Sequence, residues 1–341
     1  MDSIAIIGTG IAGLVAARQC QLQGIHTVLF EKSKHVGGRL SSHRSSWARF
    51  DQGAQYFTAR SPEFQEQLQL WQHTGHAQVW DFQAHRFRQG QLNPSPDTET
   101  RYVGTPCMNS LAEALAEDLS IHYHCHIAQI SYETAADDEQ QREWWLYDRK
   151  GQQYGGFDAL LLALPSAQCQ ALIDARSPLQ KALQTVAMVP CWSLAVAFDE
   201  AIADASIQGI FCDHPIVQWI SRESAKPGRL QSHDCWIIHC RPEWSEQQKD
   251  QPQSVIQATL LQALAEILSI ALPTASHYYC HFWRYARPAH SQCFKQALVD
   301  PQQRLGVCGD WQQGGRVEGA YLSAMQTSQA LLQCGAIGSS M

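Results

Sequence analysis

An α/β fold, in which a dinucleotide-binding domain carries an inserted α+β domain, is predicted by three features of this 341-residue chain. The first is the apolar run Ile4, Ala5, Ile6, Ile7, followed at once by Gly8-x-Gly10-x-x-Gly13. The second is Glu31, which closes the next apolar strand about twenty residues beyond the glycines. The third is a short apolar strand near the end of the chain, residues 305–308, closed by Gly309-Asp310 and followed by a helical pattern over residues 319–332.

Each element has a physical reason. Gly8 permits the tight turn out of the strand, Gly10 lets the backbone approach a pyrophosphate that a Cβ would push away, and Gly13 lets the helix pack on the strand. A helix is expected over residues 11–23, with Ile11 and Ala12 in its first turn, where unpaired N–H groups suit phosphates. Gly24 closes it. The next strand, residues 26–30, delivers Glu31, whose carboxylate suits the two hydroxyls of an adenosine ribose and would repel a 2'-phosphate. FAD or NAD is therefore the expected nucleotide, with Lys32 beside its adenosine end. Gly37-Gly38-Arg39 extends the pattern and resembles the two-dinucleotide motif of FAD-containing oxidoreductases, whose Arg assists the pyrophosphate or the flavin. FAD is thereby favoured.

Further along, Ser61 as N-cap and Pro62 at the first position predict a helix over residues 61–72. Trp80, Phe82 and Phe87 read as short strands, and residues 91–98, with Pro94 and Pro96, as turns. A helix over 109–118 follows, then strands over 121–130 and 144–148 flanking an acidic turn at 137–139. Residues 157–163, ending at Pro165, are apolar throughout, as in the strands of parallel sheets. Residues 186–281 read mostly as strand, with one long helix at about 254–269. Chain order assigns residues 1–58, 101–170 and 291–341 to the cofactor domain, and 59–100 and 171–290 to the substrate domain.

Composition narrows the function. A hydrophobic content of 45% with 17% charged residues describes an ordinary globular protein. The net charge of -7 speaks against nucleic-acid binding, so an anionic ligand must be met by local positive groups. No stretch is long and apolar enough to span a bilayer. The apolar N-terminus follows Asp2 rather than a basic segment and reads as strand plus helix, not as a signal peptide. The twelve cysteines are scattered without a C-x-x-C pair, which predicts free thiols, a reducing cytoplasm and no metal. His122-x-His124-x-His126 would share one face of a strand, either as a half-exposed surface or as a metal site. No obligate protein partner is evident.

The C-terminal run Gly309-Asp310-Trp311, then Gly315-Arg316-Val317-Glu318-Gly319-Ala320, resembles the second FAD motif of the amine-oxidase superfamily. There the Asp binds the ribityl chain. The last helix, beginning here near Gly319 and Ala320, aims its N-terminus at the flavin pyrimidine, where its dipole favours negative charge at N1 and O2 of reduced flavin. Three further segments complete the pattern: Asp51-x-Gly53-Ala54-Gln55-Tyr56-Phe57-Thr58-Ala59-Arg60, Ser95-Pro96-Asp97, and Trp283-x-Tyr285-Ala286-Arg287-Pro288. With the segment around His239, they make nearly the whole chain resemble the bacterial renalases.

That resemblance implies a p-hydroxybenzoate-hydroxylase-like fold and noncovalent FAD, with Gln55, Tyr56 and Ile127 added to the cofactor contacts. It implies oxidation of the 2-dihydro and 6-dihydro isomers of NAD(P)H to β-NAD(P)+, with O2 reoxidising the flavin to give hydrogen peroxide. Arg284 departs from the pattern, since an apolar residue is expected there.

A dihydropyridine is already a hydride donor, so its oxidation needs no base; the protein must hold the donor carbon over flavin N5 and exclude water. Tyr56, Phe57, Trp283 and Tyr285 are the aromatics expected to shape the slot, with Thr58, Ala59 and Ser95 beside them. Arg60 and Arg287 suit the anionic nucleotide or its carboxamide. His239 suits a hydrogen bond to the nicotinamide, and with Trp283 and Tyr285 it completes the catalytic candidates. Each residue has a plainer alternative: core aromatic, surface ion pair, satisfied core histidine. The competing readings are a flavin amine oxidase and a non-catalytic flavin-binding protein. The former calls for a Lys near N5, and none lies in the segments read as flavin contacts.

Overall fold

The computed structural model describes residues 1–45, 48–134 and 142–337. A six-stranded sheet runs in the order Leu298–Asp300, Leu305–Val307, Ala159–Leu162, Ser3–Ile7, His26–Phe30, Ser120–His122. Its pairs are parallel except the first. Ile4, Ile6 and Leu161 are fully buried on the face toward helix Ile11–Leu22, while Ala5, Leu160 and Leu162 are buried on the other. Burial on both faces explains why these strands are apolar throughout rather than alternating. Successive strands leave Ser3–Ile7 in opposite directions across the sheet, and such a reversal opens a crevice at the strands' carboxyl ends. The glycine loop stands there.

A seven-stranded sheet runs His277–Pro288, Met188–Phe198, Asp234–Cys240, Val217–Arg222, Gly209–Cys212, His85–Arg88, Gln91–Pro94. Helix Gln253–Leu268 covers one face, packing Ile256, Leu260, Leu264 and Ile267 against Leu194, Val196 and Ile238. The opposite face carries Ala195, Ala197, Cys235 and Ile237, which pack on Ala48 and on Phe50 of the hairpin formed by Ser42–Arg44 and Arg49–Asp51. Strand alternation puts His239 on this hairpin side, in register with Trp219 on one neighbour and Ser193 on the other, and Ser193 in register with His281. Trp283, two residues on, shares that face.

Several local expectations change. Residues 121–130 are not one strand: Ser120–His122 ends in the six-stranded sheet and Ile127–Thr134 begins a separate three-stranded one. Between them His124 takes φ +54°, a left-handed turn, so His122, His124 and His126 do not line one strand face. His122 instead stacks on Phe30, ring centroids 5.2 Å apart. Among the described residues, no group of three or more His, Cys, Asp or Glu side chains could hold a metal.

Of Trp80, Phe82 and Phe87, only Phe87 lies in a strand; Trp80 and Phe82 stack on each other at 4.0 Å. Gln91–Pro94, expected as turn, is an edge strand, where the missing N–H of Pro94 is tolerated. Short helices at Ser166–Leu172, Leu179–Gln184 and Pro242–Gln247 were not signalled by periodicity, being too short to show any. The acidic turn at 137–139 lies outside the described residues.

The N-cap at Ser61 is present, its Oγ accepting from the N–H of Phe64 at 3.3 Å. Each of the twelve cysteines is free, and all but Cys293 and Cys334 are buried; burial pushes the thiols of Cys20, Cys169 and Cys191 up to about 12, which leaves them unreactive. Among the described residues, no helix is long and apolar enough to cross a membrane.

Candidate active site

Of the four glycines Gly8, Gly10, Gly13 and Gly319, three are closed in by backbone and one is open. A Cβ on Gly8 would lie 2.6 Å from the carbonyl oxygen of Ala163, one on Gly13 2.0 Å from that of Gly8, and one on Gly319 2.0 Å from that of Gln313. At Gly10 a Cβ would meet nothing within 4 Å. Gly10 is the N-cap of Ile11–Leu22 and offers no side-chain cap, so the first-turn N–H groups of Ile11 and Ala12 are left for an anion. Gly38, at φ +52°, approaches Gly10 from the other side: its Cβ position is 3.4 Å from the Gly10 Cα.

Arg39 and Asp310 come together from opposite ends of the chain. The Arg39 guanidinium donates from Nη1 to Asp310 Oδ2 at 3.0 Å and from Nη2 to Oδ1 at 2.5 Å, a bidentate pair. Nη1 also donates to the carbonyl of Ala286 at 3.2 Å, which ties the pair to strand His277–Pro288. Ala320 sits in the first turn of helix Val317–Ile337. Glu318 in that turn accepts from the backbone N–H groups of Arg60 and Ser61 at 2.9 and 2.6 Å, so this helix start and residues 57–61 are one unit.

Glu31 is buried, and its carboxylate is engaged by the protein itself. Oε2 accepts from Thr9 Oγ1 at 2.6 Å and Thr9 N at 3.2 Å, and Oε1 from Ser33 N at 2.8 Å. It therefore shapes the loop as well as offering a lone pair to a ribose. Glu31→Ala should lower FAD affinity at least about tenfold, since each lost charge-assisted bond is worth on the order of 1.5–3 kcal/mol. Equilibrium dialysis against FAD measures this, and an unchanged constant would make Glu31 a loop brace only. Lys32 is exposed beside it. Ile127 buries its side chain in the cluster of Phe30, Trp144 and Leu146, so any part it has at the cofactor comes through its backbone.

Two residues expected at the substrate, His239 and Trp283, meet at the carbonyl of Gln52. His239 Nε2 lies 2.8 Å from it and Trp283 Nε1 3.0 Å. A carbonyl only accepts, so His239 carries its proton on Nε2 and keeps Nδ1 as an acceptor when neutral. Burial pushes the imidazole down to about 4, against the opposing pull of the Gln52 bond, so it is uncharged at neutral pH. Tyr56 meets Trp219 edge-on at 5.4 Å and takes the Arg101 guanidinium over its ring at 5.2 Å. Tyr285 is half-buried on the strand that carries Trp283.

The remaining expected members are placed as follows. Phe57 is a core residue, 3% exposed and packed on Phe64, Trp71 and Tyr102. Thr58 and Ala59 are half-buried next to it. Arg60 is exposed and paired with Glu99. Ser95 is buried, its hydroxyl accepting from the N–H of Asp97, and Asp97 in turn pairs with Arg101. Arg287 is exposed, and so is Arg284, whose side chain alternates away from the Trp283 face.

One group escaped the sequence reading. Asp51, Glu223, Lys226 and Arg229 form a buried quartet between the hairpin and the seven-stranded sheet. Arg229 Nη2 reaches Asp51 Oδ2 at 2.5 Å and its Nε reaches Glu223 Oε1 at 2.9 Å; Lys226 Nζ reaches Glu223 Oε2 at 2.7 Å. Lys226 also donates to Gln55 Oε1 at 3.2 Å, so a lysine does contact a residue expected at the flavin. Only the Lys-Pro-Gly-Arg run, residues 226–229, hinted at it.

Comparison with known proteins fixes the family. Residues 6–73 match the model of an NAD(P)-binding Rossmann-like domain, and residues 72–332 match the model of flavin containing amine oxidoreductase. The chain belongs to the flavin containing amine oxidoreductase family. Among its curated relatives, protoporphyrinogen oxidase 2 of Arabidopsis thaliana is 35% identical over 60 residues, 18% of this chain and 12% of that protein. The 1-hydroxycarotenoid 3,4-desaturase of a Flavobacterium is 41% identical over 58 residues, 17% of this chain and 12% of that one. The matches thus span only about an eighth of these relatives and leave their substrates aside. A solved structure of a putative protoporphyrinogen oxidase from Exiguobacterium superimposes with a TM-score of 0.78 at 14% identity, covering 97% of this chain and 99% of the other, which establishes the shared fold.

FAD is the cofactor of this family member, and the site fits it. The open face at Gly10, the uncapped helix start and the meeting of Arg39 with Asp310 are what a dinucleotide lying along the crevice requires.

Proposed function

We propose that this flavoprotein oxidises the 2-dihydro and 6-dihydro isomers of NAD(P)H, with O2 as the final acceptor. Bound FAD supplies the hydride acceptor. The observation that carries the reading is the state of His239: it is tied through Nε2 to the Gln52 carbonyl, and burial holds it neutral. Such a residue accepts a hydrogen bond at Nδ1, as a carboxamide N–H requires, and is a poor proton acceptor near neutral pH. Trp283, fixed by the same carbonyl, offers a flat apolar surface for a ring. The ordering of one polar acceptor beside fixed aromatics favours positioning of a ready-made hydride donor.

The amine-oxidase alternative finds less support, because the Lys226 ammonium has its donors spent on Gln55, Glu223 and Asp51. Of the substrates named for the relatives, a porphyrinogen is tested directly by its ability to reduce the flavin.

The test is anaerobic stopped-flow reduction of the flavin by 2-dihydro- and 6-dihydro-NAD, by amines and by a porphyrinogen. Fast bleaching by the dihydro isomers is expected, with a rate nearly flat between about pH 6 and 9 since no side chain needs to take a proton. The rate should fall only as the pH approaches about 4, where His239 gains charge and loses its Nδ1 acceptor. Bleaching by amines alone, rising steeply with pH, would overturn the proposal.

A further inference from the structure

Lys226 has a part beyond balancing charge. Its ammonium is fully buried, with Glu223 Oε2 at 2.7 Å, Gln55 Oε1 at 3.2 Å and Asp51 Oδ2 at 3.5 Å. Two acids and two bases already sum to zero in the quartet, so neutrality does not call for Gln55. Yet Gln55 Oε1 is drawn in, and it also accepts from Ser221 Oγ at 2.6 Å.

We propose that Lys226 is a positioning residue for the cofactor-side segment 51–55, acting through the side-chain amide of Gln55. An ammonium only donates, so Lys226 fixes which end of the amide faces it. Nε2 is then turned the other way, where it donates to the backbone carbonyls of Asp51 and Gly53. A flipped amide would set its NH2 against the ammonium and release both carbonyls.

What these bonds hold is the part of the chain on which both halves of the site meet. Between the two clamped carbonyls stands Gln52, whose own carbonyl holds His239 and Trp283. On the other side, Ala54 donates to the carbonyl of Arg39 at 2.9 Å, and Gly53 lies so close that a Cβ would come within 1.9 Å of that oxygen. Arg39 in turn grips Asp310. One amide orientation therefore sets the spacing between the Arg39–Asp310 pair and the His239–Trp283 pair. The inference rests on the FAD site and not on the identity of the substrate.

The test uses the full-length protein and reads FAD binding and the visible circular dichroism of the bound flavin. Lys226→Met combined with Glu223→Gln keeps the cluster neutral. Gln55→Met removes the amide and leaves Lys226. Each should weaken FAD binding about tenfold, the scale of one hydrogen bond to a charged group, and alter the flavin dichroism while the far-UV spectrum is kept. The triple variant should be no worse than either, because the two act through one contact. Unchanged affinity and dichroism in the Lys226→Met, Glu223→Gln protein, or additive losses in the triple variant, would overturn the inference. If the charge-neutral pair does not fold, Gln55→Met decides alone: unchanged FAD affinity in that variant overturns it.

Discussion

Gly10→Val should give a stable but colourless protein, whereas Gly13→Val should be strongly destabilised. The two glycines belong to one motif, and their surroundings separate them. Gly10 has φ -72° and ψ 177°, a conformation open to any residue, and its Cβ would meet no protein atom within 4 Å. A valine there is tolerated by the chain and displaces only what lies in the open space. At Gly13 the Cβ would be driven to 2.0 Å from the backbone oxygen of Gly8, with no flexible side chain to give way. Overpacking of this kind typically costs about 1–3 kcal/mol, and more when backbone must move. The comparison should be made between FAD-free proteins, since bound cofactor stabilises the wild type by mass action. Thermal unfolding and the flavin absorption band are the measurements. Normal FAD content in Gly10→Val would place the pyrophosphate elsewhere.

The legible part of this molecule was local. A strand, a turn that needs glycine and a helix start are neighbours in sequence, so Gly8, Gly10, Gly13 and Glu31 announce themselves, as do Ser61 and Pro62 at a helix start. Segments whose fate depends on distant partners did not. Residues 121–130 carry one apolar pattern, but the chain changes sheets inside it at His124. Gln91–Pro94 has turn residues and becomes a strand because His85–Arg88 offers an edge. Phe57 sits in a motif full of site residues, yet helix Pro62–His73 brings Phe64 and Trp71 onto it and makes it core. The motif-borne residues Arg39 and Asp310 could be named singly from the sequence; that they form one ion pair across 271 positions is a property of the fold.

The buried quartet is the furthest from legible and has the largest expected effect on stability. Arg229→Met should cost about 3–5 kcal/mol, because it leaves the two buried carboxylates with one cation between them. It also strips donors from the carbonyls of Gly104 and Pro227, at 2.9 and 3.0 Å. Burial pushes the Asp51 carboxyl up, but Arg229 and Lys226 more than reverse this and hold it well below the usual range. Burial and the Asp51 charge push Glu223 up, against the pull of Lys226 and Arg229. For Asp51 the sign is plain. A carboxyl lower in the folded than in the unfolded chain adds stability above its unfolded value of about 4 and loses it as the pH falls toward the folded one. Glu223 acts in the opposite sense, losing stability as the pH rises through its folded value. Arg229→Met removes the cation that holds Asp51 down, so the variant's stability should depend less on acid than the wild type's below about pH 4. Asp51→Asn with Arg229→Met should be less damaging than the sum of the single changes, since the pair shares one contact at 2.5 Å. Urea unfolding of the four proteins at pH 7 and at about pH 2.5, below the unfolded carboxyl value, measures both effects. Strict additivity, or a loss below about 1 kcal/mol for Arg229→Met, would show that the quartet behaves as a solvated surface pair.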